Sequence, residues 1–253
     1  MKIIICGCNG KMGKAILKTI ENSPQYDVVA GVDINNEPNG IFPVVSNISA
    51  IKEKADVIID FSNPKALDSL LDYAQNSNTP VVICTTGLSA VQIDKIRGVS
   101  KKLPIFYSRN MSLGINLLIE LSKIASKVLG GNFDIEIIEK HHNQKIDAPS
   151  GTALMIAEEI SSALPNEMDF VYNRSNVRKA RAKNEIGIHS IRGGSIPGDH
   201  EVIFAGEQEI VSISHHAQSR DIFAKGAIKA AEFIINHQPG LYTMQDVVSK
   251  ITV

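Results

Sequence analysis

Short β-branched runs alternate with helix-length amphipathic stretches through the first half of the chain, and that rhythm restricts it to βαβ units on a parallel sheet. The strand candidates are Lys2-Cys6, Asp27-Val32, Val57-Phe61, Val81-Thr85 and Ile105-Ser108, with a weaker one at Val44-Val45. Between them the sequence predicts helices at Met12-Glu21, at Pro64-Asn76 with proline in its first turn, and at Ala90-Lys101 behind a Ser89 cap. In an open α/β sheet, ligands lie outside the carboxyl ends of the strands. Those ends here read Gly7-Cys8-Asn9-Gly10, Asp33, Ser62-Asn63-Pro64, Thr85-Thr86-Gly87 and Ser108-Arg109-Asn110. Each alone is ordinary turn chemistry. Together they describe a binding edge.

Beyond Asn110 the style changes to α+β. A helix is expected from Ser112 to about Leu129, because Leu113, Leu117, Leu121, Ile124, Ala125 and Val128 recur at helical spacing, and Gly130-Gly131 ends it. Phe133, Ile135 and Ile137 then alternate with Asp134 and Glu136 as a half-buried strand, and a helix follows from Thr152 to about Leu164. The runs Glu185-Arg192, Glu201-Phe204 and Glu209-Ser214 read as antiparallel strands. Ile222-Asn236 reads as an amphipathic helix, stopped by Pro239-Gly240, whose apolar face is available to return to the first domain.

Charge and composition remove several classes of function. Lys plus Arg number 26 against 27 for Asp plus Glu, so nothing draws the chain to nucleic acid or to an anionic membrane surface. Apolar stretches such as Ile3-Cys6 and Val81-Cys84 are strand-sized, far below the ~20 residues of a membrane-spanning helix. Met1-Lys2 runs directly into a strand without the regions of a secretory signal, so a cytoplasmic protein is expected. Cys6, Cys8 and Cys84 lie in or beside apolar runs, which fits free thiols in a reducing compartment. Cys6-x-Cys8 is too tight for a zinc knuckle, and the adjacent His141-His142 and His215-His216 pairs leave strands toward opposite faces, so no metal is expected.

Gly7-Cys8-Asn9-Gly10-Lys11-Met12-Gly13 is a Gly-x-x-Gly-x-x-Gly variant of the dinucleotide-binding Gly-x-Gly-x-x-Gly loop. A bare glycine pattern is weak. Here a strand precedes it, a helix follows it, and Asp33 closes the next strand 20 residues past Gly13. Glycines let the backbone turn tightly against a pyrophosphate, the helix N-terminus presents N–H groups, and the acid accepts from the adenosine ribose. A carboxylate at Asp33 suits the free hydroxyls of NAD and repels the 2′-phosphate of NADP, so NADH is the favoured cofactor, with NADPH left open by the Lys11 cation.

Between the strand reaching Glu139 and the helix from Thr152 lies a dense polar run, Glu139-Lys140-His141-His142-Asn143-Gln144-Lys145-Ile146-Asp147-Ala148-Pro149-Ser150-Gly151-Thr152. Ser150-Gly151-Thr152 at a helix start offers N–H groups and hydroxyls to a carboxylate. His141 and Lys145 are able to deliver a proton, and His142 and Lys145 are donors suited to a carboxylate. A dinucleotide edge and an acid-and-anion loop in one chain describe a reductase acting on a small anionic substrate. The basic residues Arg174, Arg178, Lys179, Arg181 and Lys183 read as a solvated loop.

The run Glu139-x-His-His-x-x-Lys-x-Asp-Ala-Pro-Ser-Gly-Thr-Ala153 closely resembles the signature of the dihydrodipicolinate reductase family, the 4-hydroxy-tetrahydrodipicolinate reductases of the diaminopimelate route to lysine. The likeness covers nearly the whole chain, through the glycine loop, Asp60-Phe61-Ser62-Asn63-Pro64, Thr85-Thr86-Gly87, Asn110-Met111-Ser112-Leu113-Gly114, Ile191-Arg192-Gly193-Gly194, and Ser219-Arg220 with Phe223-Ala224. It implies an N-terminal Rossmann dinucleotide-binding domain, residues 1–110 with 221–253, and a central α+β substrate-binding and tetramerisation domain, residues 111–220, in a homotetramer. By the same resemblance His141 is the proton donor and Lys145 a second acid, while His142, Gly151 and Thr152 contact substrate. The cofactor positions it implies are Gly7, Cys8, Asn9, Gly10, Lys11, Met12, Asp33, the Cys84-Thr85-Thr86 turn and the Ser108-Arg109-Asn110-Met111 turn. The implied reaction passes a hydride from NAD(P)H to the dehydrated, conjugated-imine form of the substrate, and protonation of the neighbouring carbon gives tetrahydrodipicolinate. The expected partners are a small dicarboxylate and further copies of the chain, with no nucleic acid and no membrane.

The chain departs from the family pattern at several points. Ile34 follows the acid where some members carry an arginine for the 2′-phosphate, which strengthens the NADH expectation. Asn143 and Gln144 stand where others are basic, and Arg109-Asn110-Met111 replaces a small residue, Asn and Phe. The Arg174 to Lys183 stretch lacks the expected glycines. The His-His-x-x-Lys loop argues against other two-domain amino-acid dehydrogenases and against a catalytically silent dinucleotide sensor.

Overall fold

Ile3, Ile4, Ile5 and Cys6 are all buried, so the strand they form has two covered faces and belongs inside a parallel sheet. In the computed structural model, which describes residues 1–38 and 40–251, this strand is β1 (Lys2–Cys6). It is followed by α1 (Lys11–Ile20), β2 (Asp27–Val32), β3 (Val44–Val45), β4 (Val57–Asp60), α2 (Leu67–Ser77), β5 (Val81–Ile83), α3 (Ala90–Ser100) and β6 (Pro104–Tyr107). The chain continues through α4 (Leu113–Leu129), β7 (Asp134–His141), α5 (Gly151–Ala163), β8 (Asp169–Val171), β9 (Glu185–Arg192), β10 (Asp199–Ala205) and β11 (Ile210–His216). It closes with α6 (Asp221–Ile234), β12 (Gly240–Tyr242) and α7 (Met244–Ile251). Two units result, Met1–Leu113 with Arg220–Val253, and Gly114–Ser219.

The first unit is a seven-stranded sheet in the order β12-β6-β5-β4-β1-β2-β3, parallel at every pairing. The period-2 alternation of β1 divides its core. Ile3 and Ile5 pack with Ile16 of α1, Ala227 and Ala231 of α6 and Val247 of α7. Ile4 and Cys6 pack on the other face with Leu67 and Leu71 of α2 and Ile96 of α3. Each fully buried isoleucine here contributes roughly 1.5–3 kcal/mol. The helix read at Ile222-Asn236 forms as α6 and ends before Pro239-Gly240; beyond that stop the chain adds a strand the sequence did not announce, β12, which pairs with β6. The helix expected from Pro64 opens as a 3-10 turn, Pro64–Ala66, before α2 begins.

The second unit is a five-stranded sheet in the order β11-β10-β7-β9-β8, with α4 and α5 sharing its core through Ile115, Leu118, Ile119, Ile156 and Ile160. The expectation of antiparallel strands holds for β10 and β11 but not for β9, which runs parallel to both β7 and β8. Strand direction depends on the chosen partner, and no local pattern in Glu185-Arg192 names β7. The helix α4 forms where helical spacing placed it, yet Leu117, Leu121, Ile124 and Val128 are exposed while Ser122 and Ser126 are buried.

Candidate active site

At the end of β1 the backbone turns through Gly7, whose φ of +77° lies in the left-handed region, and a Cβ there would stand 2.5 Å from the Phe61 carbonyl oxygen. Gly13 is held as closely, since its Cβ would strike the carbonyl oxygens of Gly7 and Cys8. Gly10 is the N-cap of α1 and no side chain caps this helix, so its N-terminal end is suited to an anion. Asp33, just past β2, accepts the Asn9 N–H on Oδ2 at 2.9 Å and the Asn35 N–H on Oδ1 at 3.0 Å. Each carboxylate oxygen retains a lone pair for a ribose hydroxyl. The Asn9 amide donates to the carbonyls of Asn35 at 2.6 Å and Glu37 at 3.2 Å, bracing the loop behind the acid.

Gly7, Gly10, Asp33, Ile34, Asn47 and Ser62 help line a cleft of about 470 Å³, within the size of small-molecule sites. A cradle with no room for Cβ atoms, an uncapped helix start and a carboxylate with free lone pairs fit a dinucleotide. Ile34 is 98% exposed at the rim of that cleft and offers nothing to a 2′-phosphate. Cys8 and Met111 are buried, so a ligand meets them only through backbone, whereas Lys11, Thr86 and Arg109 are exposed. Cys84 is also buried, and burial and then the Asp60 charge push its thiol up. Thr85 donates its hydroxyl to Asp60 Oδ2 at 2.7 Å. The turn after β6 is fixed by Ser108 Oγ donating to the Asn110 carbonyl at 2.9 Å and Ser112 N–H donating to Asn110 Oδ1 at 2.8 Å.

In the second unit, alternation along β7 puts Ile135, Ile137, Glu139 and His141 on the buried face. Glu139 has no exposed surface, and a buried carboxylate must be paired and hydrogen-bonded. Arg192, opposite His141 in the β7–β9 register, supplies a bidentate clamp with Nη1 on Oε2 and Nη2 on Oε1, both at 2.7 Å. The Ser150 N–H donates to Oε1 at 3.1 Å, and His141 Nδ1 stands 2.6 Å from Oε2. Burial acts to raise the Glu139 carboxyl, but hydrogen bonds from His141, Arg192 and Ser190 outweigh it and hold the group well below the usual carboxylate range. The charged carboxylate takes the Nδ1–H of His141, which leaves Nε2 as the ring nitrogen turned away from Glu139.

His200 crosses the His141 ring edge-on at 5.3 Å, with Nε2 3.2 Å from Ser150 Oγ. Burial first, and then the neighbouring His141, push His200 down to about 3, so it is neutral near pH 7. Ser150 Oγ caps α5 by accepting from the Ala153 N–H at 3.1 Å, and Gly151 and Thr152 form the first turn. Glu139 thus joins His141 to the start of α5. Lys145 Nζ lies 2.9 Å from Asp147 Oδ1, and the Asp147 carbonyl accepts from Arg192 Nη2 at 2.7 Å. The His142 ring stands outside this hydrogen-bonded network among the described residues, while its carbonyl accepts the Lys145 N–H at 3.1 Å. Asn143 and Gln144 are exposed.

The reading of residues 174 to 183 as a solvated loop needs correction. Arg174 pairs with Glu185, and Arg181 reaches Glu136 at 2.5 Å and Asp134 at 3.4 Å, so acids on β7 and β9 hold both guanidinium groups; Arg178, Lys179 and Lys183 are exposed. Sequence reasoning also left Glu139, Arg192 and His200 without roles, and gave Ser150 to a ligand carboxylate where the structure gives its N–H to Glu139 and its Oγ to the α5 cap. A signal for Glu139 was present, since period 2 from Ile135 and Ile137 puts it on the core face. Arg192 and His200 carried none, because their placement depends on cross-strand register. His216 pairs with Asp199 at 3.1 Å, and no group of three or more His, Cys, Asp or Glu is placed to hold a metal ion among the described residues.

Two family descriptions span the chain, "Dihydrodipicolinate reductase, N-terminus" over residues 1–111 and "Dihydrodipicolinate reductase, C-terminus" over residues 114–248. The 4-hydroxy-tetrahydrodipicolinate reductase of Caldanaerobacter subterraneus subsp. tengcongensis is 55% identical over 250 residues, covering 99% of each chain. That of Clostridium novyi is 51% identical over 247 residues, covering 98% of each. Among solved structures, the dipicolinate-bound dihydrodipicolinate reductase from Paenisporosarcina sp. TG-14 is similar at a TM-score of 0.82 and 26% identity, over 98% of this chain and 99% of that one. The chain therefore belongs to the dihydrodipicolinate reductase family, the oxidoreductases named 4-hydroxy-tetrahydrodipicolinate reductase, which act in lysine and diaminopimelate biosynthesis and whose dinucleotide-binding fold implies a nicotinamide cofactor.

Proposed function

We propose that the first unit holds NADH in preference to NADPH, and that the second binds the cyclic dicarboxylate and supplies the proton, from His141 and Lys145, that completes its reduction to tetrahydrodipicolinate. The observation that carries this reading is the buried Glu139 carboxylate, clamped by Arg192 and 2.6 Å from His141 Nδ1. When bound, the reduced nicotinamide supplies the hydride. The doubly protonated His141 ring, paired with Glu139, gives its Nε2 proton to the carbon beside the reduced position and is left as the Nδ1–H tautomer. Lys145, set by Asp147, is the second acid of the loop.

The N–H groups of Gly151 and Thr152 in the first turn of α5 receive a substrate carboxylate, and His142 is a further donor to the substrate; a Cβ at Gly151 would meet nothing within 4 Å, so the approach is open. Gly7 to Met12 take the pyrophosphate, Asp33 the adenosine ribose, and the turns at Cys84 to Thr86 and Ser108 to Met111 the nicotinamide end. The NADH preference is supported by the Asp33 carboxylate and by Ile34 at the cleft rim. The exposed apolar stripe of α4, Leu117, Leu121, Ile124 and Val128, supports self-association as a homotetramer through the second unit. Three free buried cysteines are in keeping with a cytoplasmic enzyme, and no helix among the described residues is long and apolar enough to cross a membrane.

Lys145→Ala tests the assignment. NADH affinity should hold while turnover on the ring substrate falls ~100-fold or more. Unchanged turnover would remove Lys145 from the mechanism.

A further inference from the structure

Asp60 ends β4 with 2% of its surface exposed, and no step of the proposed reaction uses it. Its register partners are Cys6 on β1 and Ile83 on β5, so it stands where three central strands give way to their turns. Oδ1 accepts the Ser62 N–H at 3.1 Å and the Ser62 hydroxyl at 2.5 Å, and Oδ2 accepts the Thr85 hydroxyl at 2.7 Å. All three donors are neutral. Burial pushes the Asp60 carboxyl up from its ordinary value, and the Ser62 and Thr85 donors offset part of that rise.

Carboxylate oxygens only accept, so both hydroxyl hydrogens are committed to Asp60. Ser62 Oγ and Thr85 Oγ1 can then meet a ligand only as acceptors. Their partners are hydroxyl or amide N–H donors, not phosphate oxygens. The same backbone also carries the glycine loop, because a Cβ at Gly7 would stand 2.5 Å from the Phe61 carbonyl oxygen and 3.2 Å from the Ser62 nitrogen. Gly7, Asp33, Asp60 and Ser62 line one cleft.

The geometry points to Asp60 as a positioning residue for the cofactor, one that locks the hydroxyls of Ser62 and Thr85, on two separate turns, as acceptors for the ribose hydroxyl or carboxamide donors of a nicotinamide nucleotide. This rests on the reading that the strand edge of the first unit holds such a cofactor. An amide at position 60 has one acceptor and one donor, so in Asp60→Asn one of the two hydroxyls must turn.

A double-mutant cycle on NADH binding, followed by nicotinamide fluorescence, tests it with Asp60→Asn, Thr85→Val and the pair. Asp60→Asn should raise Kd about tenfold and Thr85→Val by a similar factor, and the pair should exceed neither single variant by more than about twofold. The KM for NADH should follow Kd, with kcat within about threefold of the unsubstituted enzyme. A folded Asp60→Asn that binds NADH within about twofold of normal, or factors that multiply in the pair, overturns the proposal. Where Asp60→Asn does not fold, the exposed Ser62→Ala carries the test, with about a threefold or greater rise in Kd expected and an unchanged Kd contradicting it. Failure of the unsubstituted protein to bind either NADH or NADPH overturns the cofactor reading, and this inference with it.

Discussion

Glu139 and His141 lie two residues apart on β7, with the Glu139 carboxylate fully buried and its Oε2 2.6 Å from His141 Nδ1. The pair is held from three sides. Arg192 reaches across from β9, the Ser150 N–H reaches back from the start of α5, and the strand's own pleat aims both side chains the same way. The His141 ring at the end of β7 therefore has its tautomer and orientation set by the protein itself.

Glu139→Gln follows directly. The amide can present N–H to Nδ1 and reverse the tautomer, so kcat should fall ~100-fold while NADH affinity is retained. Leaving Arg192 without its counter-charge should also cost roughly 3 kcal/mol in denaturant unfolding. Normal kcat in a folded Glu139→Gln enzyme would show that His141 does not depend on this carboxylate.

His200 gives a stability prediction with a definite sign. It is pushed down to about 3 in the fold, against about 6.5 in the unfolded chain, so unfolding takes up a proton between those values. Its contribution is fully present above pH 6.5 and is lost as the pH falls toward 3, amounting to about 2 kcal/mol between pH 7 and pH 5. Glu139 acts in the same direction only below the ordinary carboxylate range. Urea melts at the two pH values measure the difference, and His200→Gln should reduce it without abolishing it, since burial lowers His215 too. An undiminished pH difference in that variant would contradict the assignment to His200.

Cofactor choice should turn on Asp33 and Ile34. Replacing the pair as Asp33→Ser with Ile34→Arg removes a repelling carboxylate and adds a guanidinium at the cleft rim. The ratio of kcat/KM for NADPH to that for NADH should rise about tenfold or more. A ratio that does not move would locate cofactor discrimination elsewhere.

Much of this was legible in the sequence, for identifiable reasons. Lys2-Cys6, the glycine loop and Asp33 form one local unit whose parts demand each other, and all stand in the structure as read. The three-residue strands β8 and β12 are too short to show a period, and α7 lay beyond the expected stop. The parallel direction of β9 is decided by β7, some fifty residues earlier. The same long-range register brings Arg192 to Glu139, so the dense polar run holding His141 and Lys145 stood out in the sequence while the support beneath it did not. On α4 the apolar spacing marked a helix correctly but marked its exposed side, because Ser122 and Ser126 occupy the buried one.

The most direct test of the account is oxidation of NADH and NADPH by the purified protein, with substrate generated in the cuvette from pyruvate and aspartate semialdehyde by the preceding synthase. The account predicts oxidation that requires the synthase, with the higher kcat/KM for NADH. No oxidation of either cofactor, despite measurable NADH binding, would contradict the proposed reaction and point to Asn143, Gln144 and Arg109 as marks of a different substrate.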